Sequence, residues 1–376
     1  MMGVGFVIPF LPIFARDLGA SGFELGLLFA GFSLSMGISQ PLAGSYSDKY
    51  GRKKLLMIGL ATFATCGFGY NLTDSVVDLT IVRLIQGLGA GMVFPVAMAY
   101  MADWAPKQYE GRYMGLFNVS MMAGIGSGPI AGGLLNDFFG IEASFIGMGC
   151  AATTSVILVA FFLPETSAYG KDKPNIPILQ VFKSILLNPK MRGVLIMRMG
   201  MMFAMVPSFL FLPVIMSETL GASGTLIGIV ITCRTLLSAF LQFPCGWLAD
   251  RYNRSILTIL SVVCASIVVS FFGYSTTLPQ LMFVFILLGV FESLFMPTTS
   301  ALAMESGQEF GMGSTMGVFN TALTLGMFIG SISAGFLVDQ FGFGIAFLII
   351  GSVVASFCLL SIPMLLNDKQ MVRQSQ

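Results

Sequence analysis

The sequence has no histidine and very little charge. Histidine is the commonest metal ligand and the side chain that titrates nearest neutral pH, so its absence removes the usual metal centre and the usual proton shuttle. Only 10% of the 376 residues are charged, 19 Lys and Arg against 18 Asp and Glu, where a soluble domain carries about 25%. So few charges cannot cover a water-facing surface of this length. That excludes a soluble enzyme, a nucleic-acid-binding protein and a disordered chain. The six cysteines, Cys66, Cys150, Cys233, Cys245, Cys264 and Cys358, all lie in apolar stretches and none forms a CxxC pair. They read as buried, inert thiols, with no metal site or disulfide framework indicated. No cleavable leader is evident either, because the apolar start runs into Pro9 and Pro12 with no basic segment before it.

What the chain does have is apolar length. Hydrophobic residues make up 56% of it, and its mean hydropathy is +0.87. A spanning helix needs about 20 mostly apolar residues. Apolar runs between polar breaks predict twelve spans, at 1–16, 24–46, 55–71, 77–102, 113–134, 143–163, 193–216, 224–248, 256–274, 280–303, 313–337 and 344–365. The expected fold class is therefore an all-α membrane protein with twelve transmembrane helices and short loops. Span 1 is short: Met1 to Phe14 rises about 21 Å at 1.5 Å per residue, against a core of about 30 Å. This suggests a natural start further upstream.

The cations are sorted. The even-numbered connections and the C-terminal tail hold Lys49, Arg52, Lys53, Lys54, Lys107, Arg112, Lys171, Lys173, Lys183, Lys190, Arg192, Arg251, Arg254, Lys369 and Arg373, which is 15 of the 19. The odd-numbered connections hold only Arg16. By the positive-inside rule both termini and the even-numbered connections are cytoplasmic, and the expected location is the cell membrane. Arg83, Arg198 and Arg234 remain inside spans.

The sequence also repeats itself at an offset of 202 residues. Gly19-Ala20-Ser21-Gly22 falls on Gly221-Ala222-Ser223-Gly224; Asp48, Tyr50 and Arg52 fall on Asp250, Tyr252 and Arg254. Met114, Gly115, Phe117 and Asn118 fall on Met316, Gly317, Phe319 and Asn320, and Gly124, Gly128, Gly133, Asp137 and Gly140 on Gly326, Gly330, Gly335, Asp339 and Gly342. One offset held over more than 120 residues means two parallel six-helix halves, 1–165 and 193–376, joined by a cytoplasmic linker at 166–192 with a short amphipathic helix around 178–187. Transporters commonly place their substrate between such halves.

Three motifs carry mechanism. Gly44-Ser-Tyr-Ser-Asp48-Lys49-Tyr50-Gly51-Arg52-Lys53-Lys54 joins spans 2 and 3, and Gly246 to Arg254 is its degenerate copy. Gly44 allows close helix approach, Gly51 allows a positive φ, and Asn253 in the copy is the next most tolerant residue. Span 4 carries Leu79-Thr-Ile-Val-Arg83-Leu-Ile-Gln86-Gly87-Leu-Gly89, and a guanidinium there costs several kcal/mol unless paired or hydrated. Span 5 carries Gly115, then Gly124-Ile-Gly-Ser-Gly128-Pro129-Ile-Ala-Gly132-Gly133, a smooth face with a proline kink. These three patterns resemble the signatures of the major facilitator superfamily, and the span 5 pattern resembles its drug:proton antiporter branch.

The resemblance implies a fold of two pseudo-symmetric six-helix bundles; no nucleophile–base set or phosphate loop is visible in the sequence, so no enzymatic activity and no cofactor are expected. It implies a latch at Gly44, Asp48, Gly51, Arg52, Asp250 and Arg254, and a rocking face on span 5. In this reading span 5 presses on span 8, whereas its copy in span 11, which lacks the proline, serves packing. Pro164-Glu165-Thr166 after span 6 resembles the family's end signal and reads as a helix stop.

Glu292 is the one carboxylate expected in the membrane interior, where desolvation raises a carboxyl pKa towards neutrality. It is the leading proton-coupling candidate, with Arg83 and Arg234. Glu292 and Arg234 fall near mid-membrane and form a candidate pair, while Arg198 lies nearer the cytoplasmic end. Cavity candidates are Gln40, Gln86, Asn118, Arg198, Gln242, Thr298, Asn320 and Thr324. The expected partners are a small-molecule substrate, protons and the lipid bilayer, with no nucleic acid and no metal, in a protein that works as a monomer. Three readings stay open: proton-driven export of small amphiphilic compounds, transport of an organic anion or lipid-like substrate on the embedded arginines, and a non-transporting receptor or scaffold.

Overall fold

A computed structural model describes residues 2–104, 110–165, 184–310 and 312–366. Those residues form helices joined by short turns. In lipid a backbone must satisfy its own polar groups, and a helix does so within one segment. Span 1 is α1, in two pieces, Met2–Val7 and Leu11–Asp17. The others are α2 (Gly22–Tyr50), α3 (Arg52–Gly69), α4 (Val76–Trp104), α5 (Glu110–Phe139), α6 (Ile141–Phe162), α7 (Pro189–Val214), α8 (Gly224–Arg251), α9 (Arg254–Phe272) and α10 (Leu278–Phe310). Spans 11 and 12 run as one segment, Met312–Leu366, which Gly342 interrupts at φ 71°. They are α11 (312–341) and α12 (343–366).

Nine helical segments among the described residues are long and apolar enough to cross a membrane, and one of them, Thr315–Leu366, is long enough for two crossings. The break in α1 follows from Pro9 and Pro12. Proline has no N–H to give to the turn before it, so the chain bends over residues 8–10 and the second piece starts with Pro12 in its first turn. α7 ends in a π turn, Ile215–Thr219. Of the linker's expected helix at 178–187, only residues 184–187 lie among the described residues, and they are helical.

The thiols are not uniformly buried. Cys66 and Cys358 are, whereas Cys150 and Cys233 are exposed on their helices. Spans so rich in apolar residues leave some small side chains facing outwards, and apolar context alone does not bury them.

The chain divides into two compact units, one of residues 1–173 and 209–236, the other of residues 174–208 and 237–376. In the first, α2 and α4 make the most extensive contact. A Cβ at Gly87 would strike Ser35 Oγ and the Phe32 carbonyl, and one at Gly91 would strike Ser39 Oγ. Small residues four apart thus let two backbones meet, the usual means of helix association in lipid. In the second unit α11 packs on α7 in the same way, with Gly326 on Met199 and Gly330 on Phe203.

Candidate functional site

The basic turn between α2 and α3 is built on Gly51, at φ +97°, a conformation that only glycine adopts readily. Glycine has no side chain with which to cap α3. The cap comes from Glu165, after α6, which accepts the Lys53 N–H at 3.1 Å. Lys53 Nζ in turn donates to the Ala160 carbonyl at 2.8 Å, and Tyr100 Oη to the Pro164 carbonyl at 2.9 Å. The Pro164-Glu165 stop is thus part of the turn it faces. Arg52 is 8% exposed; it pairs with Asp103 at the end of α4 and donates to Ser47 Oγ at 3.4 Å. The Asp48 side chain lies outside those described.

The second copy solves the same turn differently. Asn253 has φ −62° and caps α9 with its own side chain, accepting the Ser255 and Ile256 N–H groups at 3.0 and 3.2 Å. The expected positive φ is corrected here. Asn253 stands in for the missing side chain of Gly51 as a cap, and its backbone is ordinary. Arg254 pairs with Asp250 at 3.2 Å and with Glu305 at 2.6 Å, and Lys190 also reaches Glu305, at 3.2 Å. The offset of 202 carries Asp103 onto Glu305, so the same arginine–acid tie occurs in both copies. Sequence reasoning missed both acids although the repeat marks them. A Cβ at Gly44, or at its mate Gly246, would meet nothing within 4 Å, so in this conformation neither glycine serves a close approach.

Arg83 is 2% exposed within the first unit. Its Nη1 donates to Gln86 Oε1 at 2.6 Å, and Tyr70 Oη donates to the same oxygen at 2.7 Å. Gln86 Nε2 turns to Met148 Sδ at 3.5 Å. The guanidinium lies 4.9 Å from the ring centroids of both Phe29 and Phe32. A cation is thereby held, among the described residues, by one amide oxygen and two aromatic faces. Gln86, a cavity candidate, is occupied in this cluster.

The glycines of α5 serve two helices. Gly128 and Gly132 face α1: a Cβ at Gly128 would lie 2.5 Å from Gly5 Cα, and one at Gly132 would lie 2.6 Å from the Phe6 carbonyl oxygen. Gly126, Pro129 and Gly133 face α8. A Cβ at Gly126 would lie 2.7 Å from Leu236, one at Gly133 2.5 Å from the Gly224 carbonyl oxygen, and one at Gly228 would strike the Pro129 carbonyl. The expectation of a single face towards span 8 is thus corrected, since residues four apart share one stripe and the others fall on the neighbouring stripe.

Beyond the predicted span, at the end remote from the basic turns, Asp137 of α5 accepts the first two N–H groups of α8. Gly224 N reaches Oδ1 and Thr225 N reaches Oδ2, each at 2.8 Å. Burial, the largest single influence on this carboxyl, works upwards. Hydrogen bonds from the Thr225 hydroxyl, the Thr225 and Gly224 N–H groups and the Ser223 hydroxyl outweigh it and hold the pKa below 3.8. At the same end Arg16 pairs with Glu218 of the π turn at 3.2 Å. The offset singled out Asp137 only as a repeat mark, because its role depends on which helix end it meets.

Arg234, 1% exposed, lies 4.0 Å over the Phe209 ring. In the second unit Arg198 is buried, with Nη1 2.9 Å from Met296 Sδ and its guanidinium 4.3 Å over Phe319. Glu292 is half-buried on α10. Thr298 and Thr324 are buried and return their hydroxyls to their own helices, Thr298 to the Leu294 and Phe295 carbonyls and Thr324 to those of Asn320 and Thr321. Gln40 and Gln242 are half-buried and Asn320 is exposed, while the Asn118 side chain lies outside those described.

Comparison with known proteins agrees with this architecture. The family model of the Major Facilitator Superfamily matches residues 1–214 and again 194–374. An uncharacterised MFS-type transporter of Methanocaldococcus jannaschii is 31% identical over 348 residues, covering 91% of this chain and 89% of that protein. The quinolone resistance protein NorA of Staphylococcus aureus is 27% identical over 351 residues, covering 90% and 87%. The solved structure of the nucleoside transporter NupG superposes with a TM-score of 0.78 at 16% identity, covering 96% of this chain and 97% of that one.

Proposed function

The chain belongs to the major facilitator superfamily, and from that premise we propose that it is a proton-coupled antiporter exporting small amphiphilic compounds by alternating access. The observation that carries this reading is α5. It holds the whole glycine–proline pattern of the antiporter branch, and its Gly126–Pro129–Gly133 stripe lies along α8. A smooth, kinked face can separate from a neighbour and return without interlocked side chains to unpick. The similarity to a quinolone resistance protein supports a drug-like substrate.

In this reading the two six-helix halves, 1–165 and 193–376, alternate about a shared substrate. The basic turns and both termini face the cytoplasm, in the cell membrane. Glu292 is the proton carrier in this reading, as a half-buried carboxylate on a membrane-spanning helix. Arg83 and Arg234 are further embedded charges that the coupling draws on, and Arg52–Asp103 with Arg254–Glu305 stiffen the cytoplasmic turns. The test is counterflow in proteoliposomes against a panel of amphiphilic cations and quinolones, with and without a pH gradient. Accumulation that grows when the compartment supplying protons is acidified supports antiport. Flux that ignores the gradient counts against it.

A second reading rests on Arg198. Its guanidinium is held between a thioether sulfur and an aromatic ring, which suits an organic anion or a lipid headgroup. Retained transport in Arg198→Ala would count against that alternative.

A further inference from the structure

Helix α8 begins without the carboxylate that its repeat mate carries. α2 opens with a complete capping box: Ser21 Oγ accepts the Glu24 N–H at 3.2 Å, and Glu24 reaches back to the Ser21 N–H at 2.8 Å. Shifted by 202, Ser21 becomes Ser223 and Glu24 becomes Leu226. Ser223 Oγ still takes the Leu226 N–H at 3.3 Å, but leucine has nothing to return. The negative charge that favours a helix N-terminus comes from Asp137, 87 residues earlier in sequence and on another helix. α2 supplies its own carboxylate, whereas α8 has one at its N-terminus only while the ends of α5 and α8 are together.

We propose that Asp137 is a positioning residue of the transport cycle, whose two-pronged cap on α8 holds the outer side closed and is released when that side opens. Two neighbouring features support this. Gly133 brings the α5 backbone against Gly224 and Thr225, close enough for an aspartate side chain to span. The Arg16–Glu218 pair makes a second tie at the same end, between α1 and the π turn that follows α7. A local capping box would have stabilised α8 equally in every state. A cap borrowed from α5 stabilises one state alone, and a ligand or bond shifts an equilibrium only by such a difference.

This inference rests on the alternating-access reading, so its test does not depend on transport. Spin labels at Phe139→Cys and Thr219→Cys, both at exposed positions, with the six native cysteines replaced by alanine, report the separation at the outer end. The expected result for Asp137→Asn is about a tenfold rise in the long-distance population relative to the short one, the scale of a lost charge-assisted hydrogen bond. Adding Leu226→Glu to Asp137→Asn rebuilds the local box. It should restore thermal stability and leave the distances long. Unchanged distances in Asp137→Asn would overturn the proposal. So would a return to short distances on adding Leu226→Glu, since Asp137 would then merely stabilise a helix. If Asp137→Asn does not fold, Leu226→Glu alone decides: by making the borrowed cap redundant it should raise the long-distance population, and an unchanged distribution overturns the proposal. Absence of proton-driven flux in the unsubstituted protein would count against the antiport reading while the distances still judge the lock.

Discussion

Replacing Gln86 by leucine removes the acceptor on which the buried Arg83 cluster depends. Leucine keeps nearly the same volume, so no cavity term enters. What is lost is the Arg83 Nη1 bond at 2.6 Å and the Tyr70 Oη bond at 2.7 Å, both to Gln86 Oε1. A hydrogen bond to a charged group is worth about 1.5–3 kcal/mol and a neutral one about 0.5–1.5, so the pair amounts to roughly 2–4 kcal/mol. The rings of Phe29 and Phe32 still hold the cation but offer nothing directional to its N–H groups. The assay is thermal unfolding of the detergent-solubilised protein at one fixed scan rate, where a loss of this size in a chain of 376 residues lowers the midpoint by roughly 3–5 °C. Gln86→Glu is the control: its carboxylate keeps both bonds and neutralises the guanidinium, so its midpoint should stay near that of the parent. A Gln86→Leu midpoint within about 1 °C of the parent would refute the reasoning, since a buried guanidinium and phenol cannot both lose their acceptor at no cost.

Other consequences follow from the same geometry. Gly51→Ala forces a side chain into φ +97°, with its Cβ 2.5 Å from Glu165 Oε1, and should cost about 1–3 kcal/mol in the same unfolding assay. Asn253→Ala should cost about 1 kcal/mol through its lost cap, and Asn253→Gly only a few tenths. Asp103→Asn replaces the ion pair of Arg52, which is 8% exposed, by a neutral hydrogen bond and should cost about 1–3 kcal/mol. Glu305→Gln, at the more exposed copy, should cost about 1 kcal/mol or less. Leu72, 82% exposed at the end away from the basic turns, is predicted to face outwards. A Leu72→Cys protein without other cysteines should react with a membrane-impermeant maleimide in intact cells, and protection there would reverse the proposed orientation.

Much of the architecture could be read from the residues because lipid imposes simple rules. The twelve spans follow from apolar length, and the repeat and the α5 pattern from spacing alone. What escaped the sequence depends on contacts between distant segments. Glu165 looked like a stop signal, and only the folded chain shows it at the N-terminus of α3. The α5 glycines looked like one face, yet they split between α1 and α8 because two neighbours share that helix. Asn253 matters through its side chain, which caps α9, and its backbone tolerance is not used. The break in α1 was signalled by Pro9 and Pro12, though apolar continuity concealed it. Asp137 illustrates the limit best: a carboxylate's meaning is set by the dipole it meets, and that helix end lies 87 residues away.

Export is proposed to be driven by a proton carried on Glu292. Proteoliposomes containing Glu292→Gln should lose transport driven by a pH gradient while keeping substrate counterflow at equal pH, because glutamine preserves the shape of the site and has no carboxylate to carry a proton. Unchanged gradient-driven transport in Glu292→Gln would contradict the claim.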